Sequence, residues 1–120
     1  MQRQSGVIIK RDGRQIDLDL YVPQTMQEMQ IGLSGRDYIP NGVGMLFVFP
    51  PGLEPSIWMR NTYVMLNIAF LDQNGKVLAV KVGIPHSTRN VKGPAGSRYV
   101  LETAHIWGAV DLGDTVALAV

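Results

Sequence analysis

The sequence predicts a mainly β domain, a compact antiparallel β-barrel or sandwich carrying one short helix, and three features predict it. Ile16-Asp17-Leu18-Asp19-Leu20-Tyr21-Val22 alternates apolar and polar residues almost without a break. Gly44-Met45-Leu46-Phe47-Val48-Phe49 is continuously apolar and stops at Pro50-Pro51-Gly52. Asp72-Gln73-Asn74-Gly75 is a tight-turn sequence set between two apolar stretches. A period of two sends alternate side chains to core and water, which marks a half-buried strand. A short unbroken apolar run between turn residues marks a strand covered on both faces. With 120 residues the chain forms a single domain, 1–120, and folding would bury roughly two-thirds of the extended chain's surface.

The elements follow in order. Val7-Ile8-Ile9 is a short apolar run, and Arg11-Asp12-Gly13 after it is a hairpin-type turn. In the alternating strand, Ile16, Leu18, Leu20 and Val22 share the core face while Asp17 and Asp19 face water. Pro23 has no amide hydrogen to continue the ladder and stops it. Thr25 followed three residues later by Glu28 is a capping box: the hydroxyl accepts from the Glu28 amide, and the carboxylate reaches back to the Thr25 amide. The predicted helix runs to Ile31 with Gly32 as its stop, and residues 33–43 form a connecting loop. After the buried strand at 45–49, a proline-rich turn leads into a strand at 56–59. Residues 65–71 and 76–82 pair as a hairpin around the Asp72–Gly75 turn. Residues 85–96 read as a polar loop, and 98–102 as an alternating strand with Tyr99 and Leu101 opposed to Arg98, Val100 and Glu102. Asp111-Leu112-Gly113-Asp114 turns into a last strand at 115–120. Seven or eight short strands with one helix suit a barrel or sandwich.

Composition removes several function classes. There is no cysteine, so disulfides, thiolate metal sites and cysteine nucleophiles are excluded together. His86 and His105 stand alone in separate segments, whereas a zinc site needs three or four converging donors; no metal and no cofactor are expected. The net charge of +1 gives no field to recruit nucleic acid. Lys76, Lys81, Arg89, Lys92 and Arg98 follow one another with no intervening acid, and are read as a solvated face. No stretch reaches the roughly 18 apolar residues of a membrane span. Residues 1–6 hold no apolar run of a signal peptide, so the expectation is a cytoplasmic or otherwise soluble protein. Gly42-Val43-Gly44 leads into a strand where a phosphate loop would need a helix, and no Gly-x-Ser-x-Gly elbow occurs.

One polar cluster stands out. Arg60, Asn61 and Thr62 lie between two strongly apolar strands, where strand ends meet at the rim of a small barrel. Arginine presents a planar fork to a carboxylate or phosphate, while asparagine and threonine donate and accept. Trp58 and Met59 supply an apolar wall, and Asn67 adds an amide. Together Trp58, Met59, Arg60, Asn61, Thr62 and Asn67 form the candidate ligand-binding set, suited to a small anionic or polar molecule. The competing structural reading has Asn61-Thr62 closing a turn and Arg60 pairing with a carboxylate such as Glu102.

These residues also carry a family resemblance. Gly32-Leu33, the block Gly44 to Phe49, Trp58-Met59-Arg60-Asn61-Thr62, and Ile68-Ala69-Phe70-Leu71-Asp72 with Gly75 resemble the family called domain of unknown function 192. Leu101-Glu102 and Gly113-Asp114 match its C-terminal part, so the likeness spans residues 22–116. It implies a mainly antiparallel β fold and no established activity. Two positions depart from the family pattern. Ser34 stands where a methionine is usual, and Asn67 where an aspartate is usual. An amide is a poor general base, so Asn67 favours binding over catalysis.

Three functions are weighed on this basis. The first is a non-catalytic binding module with its pocket at Arg60, Asn61 and Thr62. The second is a structural or interaction protein, a homo-oligomer or a partner of another protein, pairing through an exposed edge at 98–102 or 115–120. The third is a hydrolase or lyase with an unidentified nucleophile.

Overall fold

A computed structural model describes residues 1–118. Nine strands and one helix occur in the order β1 (Gln2–Ile9), β2 (Gln15–Val22), α1 (Met26–Ile31), β3 (Val43–Val48), β4 (Ser56–Trp58), β5 (Leu66–Leu71), β6 (Val77–Gly83), β7 (Asn90–Lys92), β8 (Tyr99–Ala104) and β9 (Thr115–Leu118). Seven strands form one sheet in the order β6-β5-β8-β3-β2-β1-β9, and β4 and β7 form a separate ribbon. All neighbours in the large sheet are antiparallel except β2 and β3, whose parallel pairing requires the crossover that residues 23–42 provide.

The sheet curls into a barrel left partly open. Its two edge strands, β6 and β9, meet at one end, where Val77 donates to Asp114 O (2.8 Å) and Val116 donates to Gly75 O (2.8 Å). Gly75 makes this closure feasible: its φ is 82°, and a Cβ there would lie 2.2 Å from Val116 O. Inside the curl, Ile8, Leu18, Leu20, Leu46, Leu71, Leu101 and Val116 pack into one core. On the outer face of the central strands a second core forms from Met45, Phe47, Ile68, Phe70 and Val100, closed over by Leu33, Ile39, Ile57 and Met59. The central strands are therefore buried on both faces, all six residues of β5 included. This is why the block from Gly44 to Phe49 lacks alternation.

Two sequence expectations are corrected. Residues 98–102 do not form an exposed edge, because β8 lies between β5 and β3, and Val100 to Ala104 are buried. Glu102, on the same side of β8 as Val100, faces the outer core. The stretch at 85–96 is not wholly loop, since β7 pairs with β4 through Ile57 and Val91. The last strand is described only through Leu118; residues 119–120 of the predicted strand lie outside the described residues. Among the described residues, no helix is long and apolar enough to cross a membrane.

Candidate functional site

Local sequence builds a groove on the outer face. Thr25 caps α1, its hydroxyl accepting from the Glu28 amide at 3.1 Å. The Glu28 carboxylate bonds the Gln24 amide at 2.7 Å, one residue before the cap, and also receives the N-terminal ammonium of Met1 at 2.6 Å. Gly32, at φ 50°, ends the helix and turns the chain down so that Leu33 enters the outer core. Opposite α1 runs β4, and the chain leaves it through a turn in which Thr62 donates to Met59 O at 3.1 Å. Asn61 holds this turn with φ 56°, a left-handed conformation that asparagine tolerates better than most residues. Its carbonyl accepts from Gly35 at 2.8 Å, which ties the turn to the loop after α1.

The space between these walls is a groove of about 530 Å³. Met26, Met29, Gln30, Ile31, Leu33 and Ser34 form one side, Ser56, Ile57 and Trp58 the other, and Phe47 and Phe49 lie beneath. Arg60, Asn61 and Thr62 stand at one end. Arg60 is exposed and lies over the half-exposed Trp58 ring, its guanidinium carbon 5.3 Å from the centroid. The Ser34 hydroxyl leans toward Arg60 O at 3.4 Å, so the residue replacing the family's usual methionine adds polarity to the groove.

Glu102 also lines the groove. Its backbone sits beside Met45 on β3 and Ile68 on β5, both members of the outer core, and only 4 % of the residue is exposed. Burial pushes its carboxyl up to about 8, and no charge or hydrogen-bond donor offsets that effect. Arg60 and Glu102 share the groove but form no ion pair among the described residues. A carboxylic acid neutral at pH 7 can donate one hydrogen bond and accept others, whereas a carboxylate can only accept.

Of the residues singled out in the sequence, Trp58, Arg60, Asn61 and Thr62 come together at this groove, while Met59 and Asn67 do not. Met59 is 1 % exposed and packs in the outer core. Asn67 is one residue out of phase with Leu66 and Ile68, so strand alternation sends it to the opposite face of the sheet. There its Oδ1 meets His105 Nδ1 at 2.7 Å. Glu102 and Ser34 line the groove as well, although the sequence offers Glu102 only as a structural partner for Arg60 and Ser34 only as a departure from the family pattern. The available signal was an acid following an apolar pair and flanked by small residues, Val100-Leu101-Glu102-Thr103-Ala104. Among the described residues, no cluster of three or more histidines and carboxylates has the arrangement to hold a metal ion.

The chain belongs to the DUF192 family, described as Uncharacterized ACR, which it matches over residues 7–118. No curated protein matches it in sequence. Among solved structures it is similar to a protein of Sinorhizobium meliloti 1021 named as a candidate transcription regulator. That likeness has 26 % identity and a TM-score of 0.90 over 98 % of this chain and 94 % of the other. A protein of unknown function from Novosphingobium aromaticivorans DSM 12444 shares the fold at 23 % identity and a TM-score of 0.85, over 97 % and 85 % of the two chains.

Proposed function

We propose that this member of the family is a non-catalytic binding module, and that the groove between α1 and β4 holds a small molecule with an apolar body and one polar head. The observation that carries this reading is Glu102, a residue only 4 % exposed whose carboxyl lines an otherwise mainly apolar groove and has no hydrogen-bond or ion-pair partner among the described residues. A carboxyl cut off from most of its water and given no protein partner is costly to ionise, and a ligand head group would offset that cost. Apolar walls with a few convergent polar groups are the usual make-up of small-molecule sites. Arg60 stands in water at the mouth, where a charge pair contributes little, so the anchor lies at Glu102.

One observation favours a second reading, a hydrolase or lyase: an acid held protonated near neutral pH is what a general acid requires. Binding is preferred because no histidine lines the groove and the Ser34 hydroxyl has no base beside it, its neighbour being a backbone carbonyl. The Sinorhizobium neighbour's name suggests regulation, and a ligand-responsive groove would serve a regulator without any contact to DNA by this surface.

Titration of the labelled protein with a panel of small amphipathic fragments, followed by amide nuclear magnetic resonance, tests the proposal. Shifts should gather on α1, Trp58 to Thr62 and Glu102. Shifts confined to another face, or none with any fragment, would defeat it.

A further inference from the structure

We propose that the ligand of this groove is a small primary amine with an apolar body, its ammonium seated against Glu102. The inference rests on the groove being a binding site and adds the chemistry of the head group. Glu102 is only 4 % exposed, has no hydrogen-bond or ion-pair partner among the described residues, and belongs to the lining of the groove. The elements packed around it offer no cation at its depth. Its strand neighbours are Met45 from β3 and Ile68 from β5. On α1, Gln30 is uncharged, and Glu28 is turned away to Met1 and Gln24. Ser56, Ile57 and Trp58 of β4 carry no charge, and neither do Ser34, Asn61 and Thr62. Arg60, the charged residue at the mouth, is exposed, engaged with Trp58, and makes no ion pair with Glu102.

An entering ammonium therefore supplies what this acid lacks. It brings three donors to a group with free acceptor oxygens, and its charge stabilises the ionised form. An alcohol or amide would satisfy one hydrogen bond and gain no Coulomb energy from the dry setting. The alkyl or aryl body fits against Met29, Phe47, Phe49 and Ile57.

The proton balance gives the proposal a signature. The free acid is protonated at pH 7, because burial raises its carboxyl to about 8. When the ammonium docks, the acid O–H bond breaks and the proton passes to the buffer base, leaving a carboxylate paired with an unchanged ammonium. Binding of a neutral ligand releases no proton.

Isothermal titration calorimetry at pH 7 with 2-phenylethylamine, 2-phenylethanol and 3-phenylpropionate, each in phosphate and in MOPS, neither of which is a primary amine, reads both quantities. The amine should bind tenfold or more tighter than the alcohol, with close to one proton released, taken from the difference in enthalpy between buffers. Glu102→Gln, with its fold checked by circular dichroism, should abolish the release and bring amine and alcohol to equal affinity. Amine binding without proton release, no preference for the amine, or a preference that survives in Glu102→Gln would each overturn the proposal. Binding of the alcohol or the carboxylate but not the amine would overturn it while leaving the binding reading intact; no binding by any probe would remove both.

Discussion

Glu102 couples protonation to folding, because its carboxyl ionises at different pH in the folded and unfolded chain. Folded, it titrates at about 8; unfolded, at an ordinary glutamate value near 4.5. Between those two values the unfolded chain has lost its proton and the folded chain retains it, so ionisation favours unfolding. The contribution of Glu102 to stability therefore falls as pH rises through this window, by roughly 1.4 kcal/mol per pH unit, and levels off above about 8. Glu102→Gln keeps the volume and removes the proton, so its stability should not fall through the window, and at pH 8.5 the variant should be the more stable protein. Urea midpoints at pH 5 and pH 8.5 check this; parallel pH profiles for the two proteins would mean that Glu102 is not held neutral. The same residue shows what the sequence left illegible. Alternation along 98–102 puts Arg98, Val100 and Glu102 on one side of the strand but does not show that this side is dry. It is dry because β3 and β5 pair with both edges of β8 and the two cores cover both its faces. Asn67 lies away from the groove for a related reason. Its neighbourhood was visible, but its side of the sheet depended on a phase that a wholly apolar strand does not display.

The turn leading into β9 acts as a clamp on β1. The Asp114 carboxylate is 1 % exposed and accepts from Lys10 Nζ at 2.5 Å and from the Asp111 amide at 2.8 Å. Lys10 Nζ also donates to Asp111 Oδ2 and to the carbonyl of Ala109, both at 2.8 Å. Lys10 lies just past β1, and Asp114 immediately precedes β9, so the network fixes the end of the sheet where β9 also meets β6. Asp114→Ala takes the closest counter-charge from Lys10, which keeps Asp111 and the Ala109 carbonyl, and leaves the Asp111 amide without its acceptor, so it should destabilise by about 1–3 kcal/mol. Asp114→Asn can still accept from the Asp111 amide and should lose less. Chemical denaturation of both variants measures the difference; a loss below 1 kcal/mol for Asp114→Ala would show that the clamp is not needed. At this scale the sequence was informative wherever a turn declared itself. The hairpin of β5 and β6 around Asp72–Gly75 is an example, as is the capped start of α1. It was uninformative for β7, whose three residues Asn90-Val91-Lys92 are too few to show a period and pair with a β4 equally short.

Across the whole molecule, the two cores give unequal hold on the elements around them. Strands β3, β5 and β8 are covered on both faces and hydrogen-bonded on both edges, so they can exchange their amides only when the domain opens widely. Helix α1 is six residues long with no fully buried side chain. A helix that short gains little from its own hydrogen bonds and is retained by its cap, by Met29 against the outer core and by the Glu28 contact to the N-terminus. The β4–β7 ribbon has two strands of three residues, too small to persist without the core beneath it. Both walls of the groove are thus its least secured parts, while its floor, from Phe47 to Glu102, belongs to the most secured. That arrangement suits a binding site: the walls can part to admit a ligand without disturbing the sheet that positions Glu102. Hydrogen exchange measured by mass spectrometry should find the amides of α1 and β4 exchanging well before those of β3, β5 and β8. A ligand bound in the groove should slow exchange in α1 and β4 and leave the central strands unchanged. Uniform protection across the chain in the free protein would mean that the walls open only with the whole domain, and ligand entry would then have to proceed through the exposed end at Arg60.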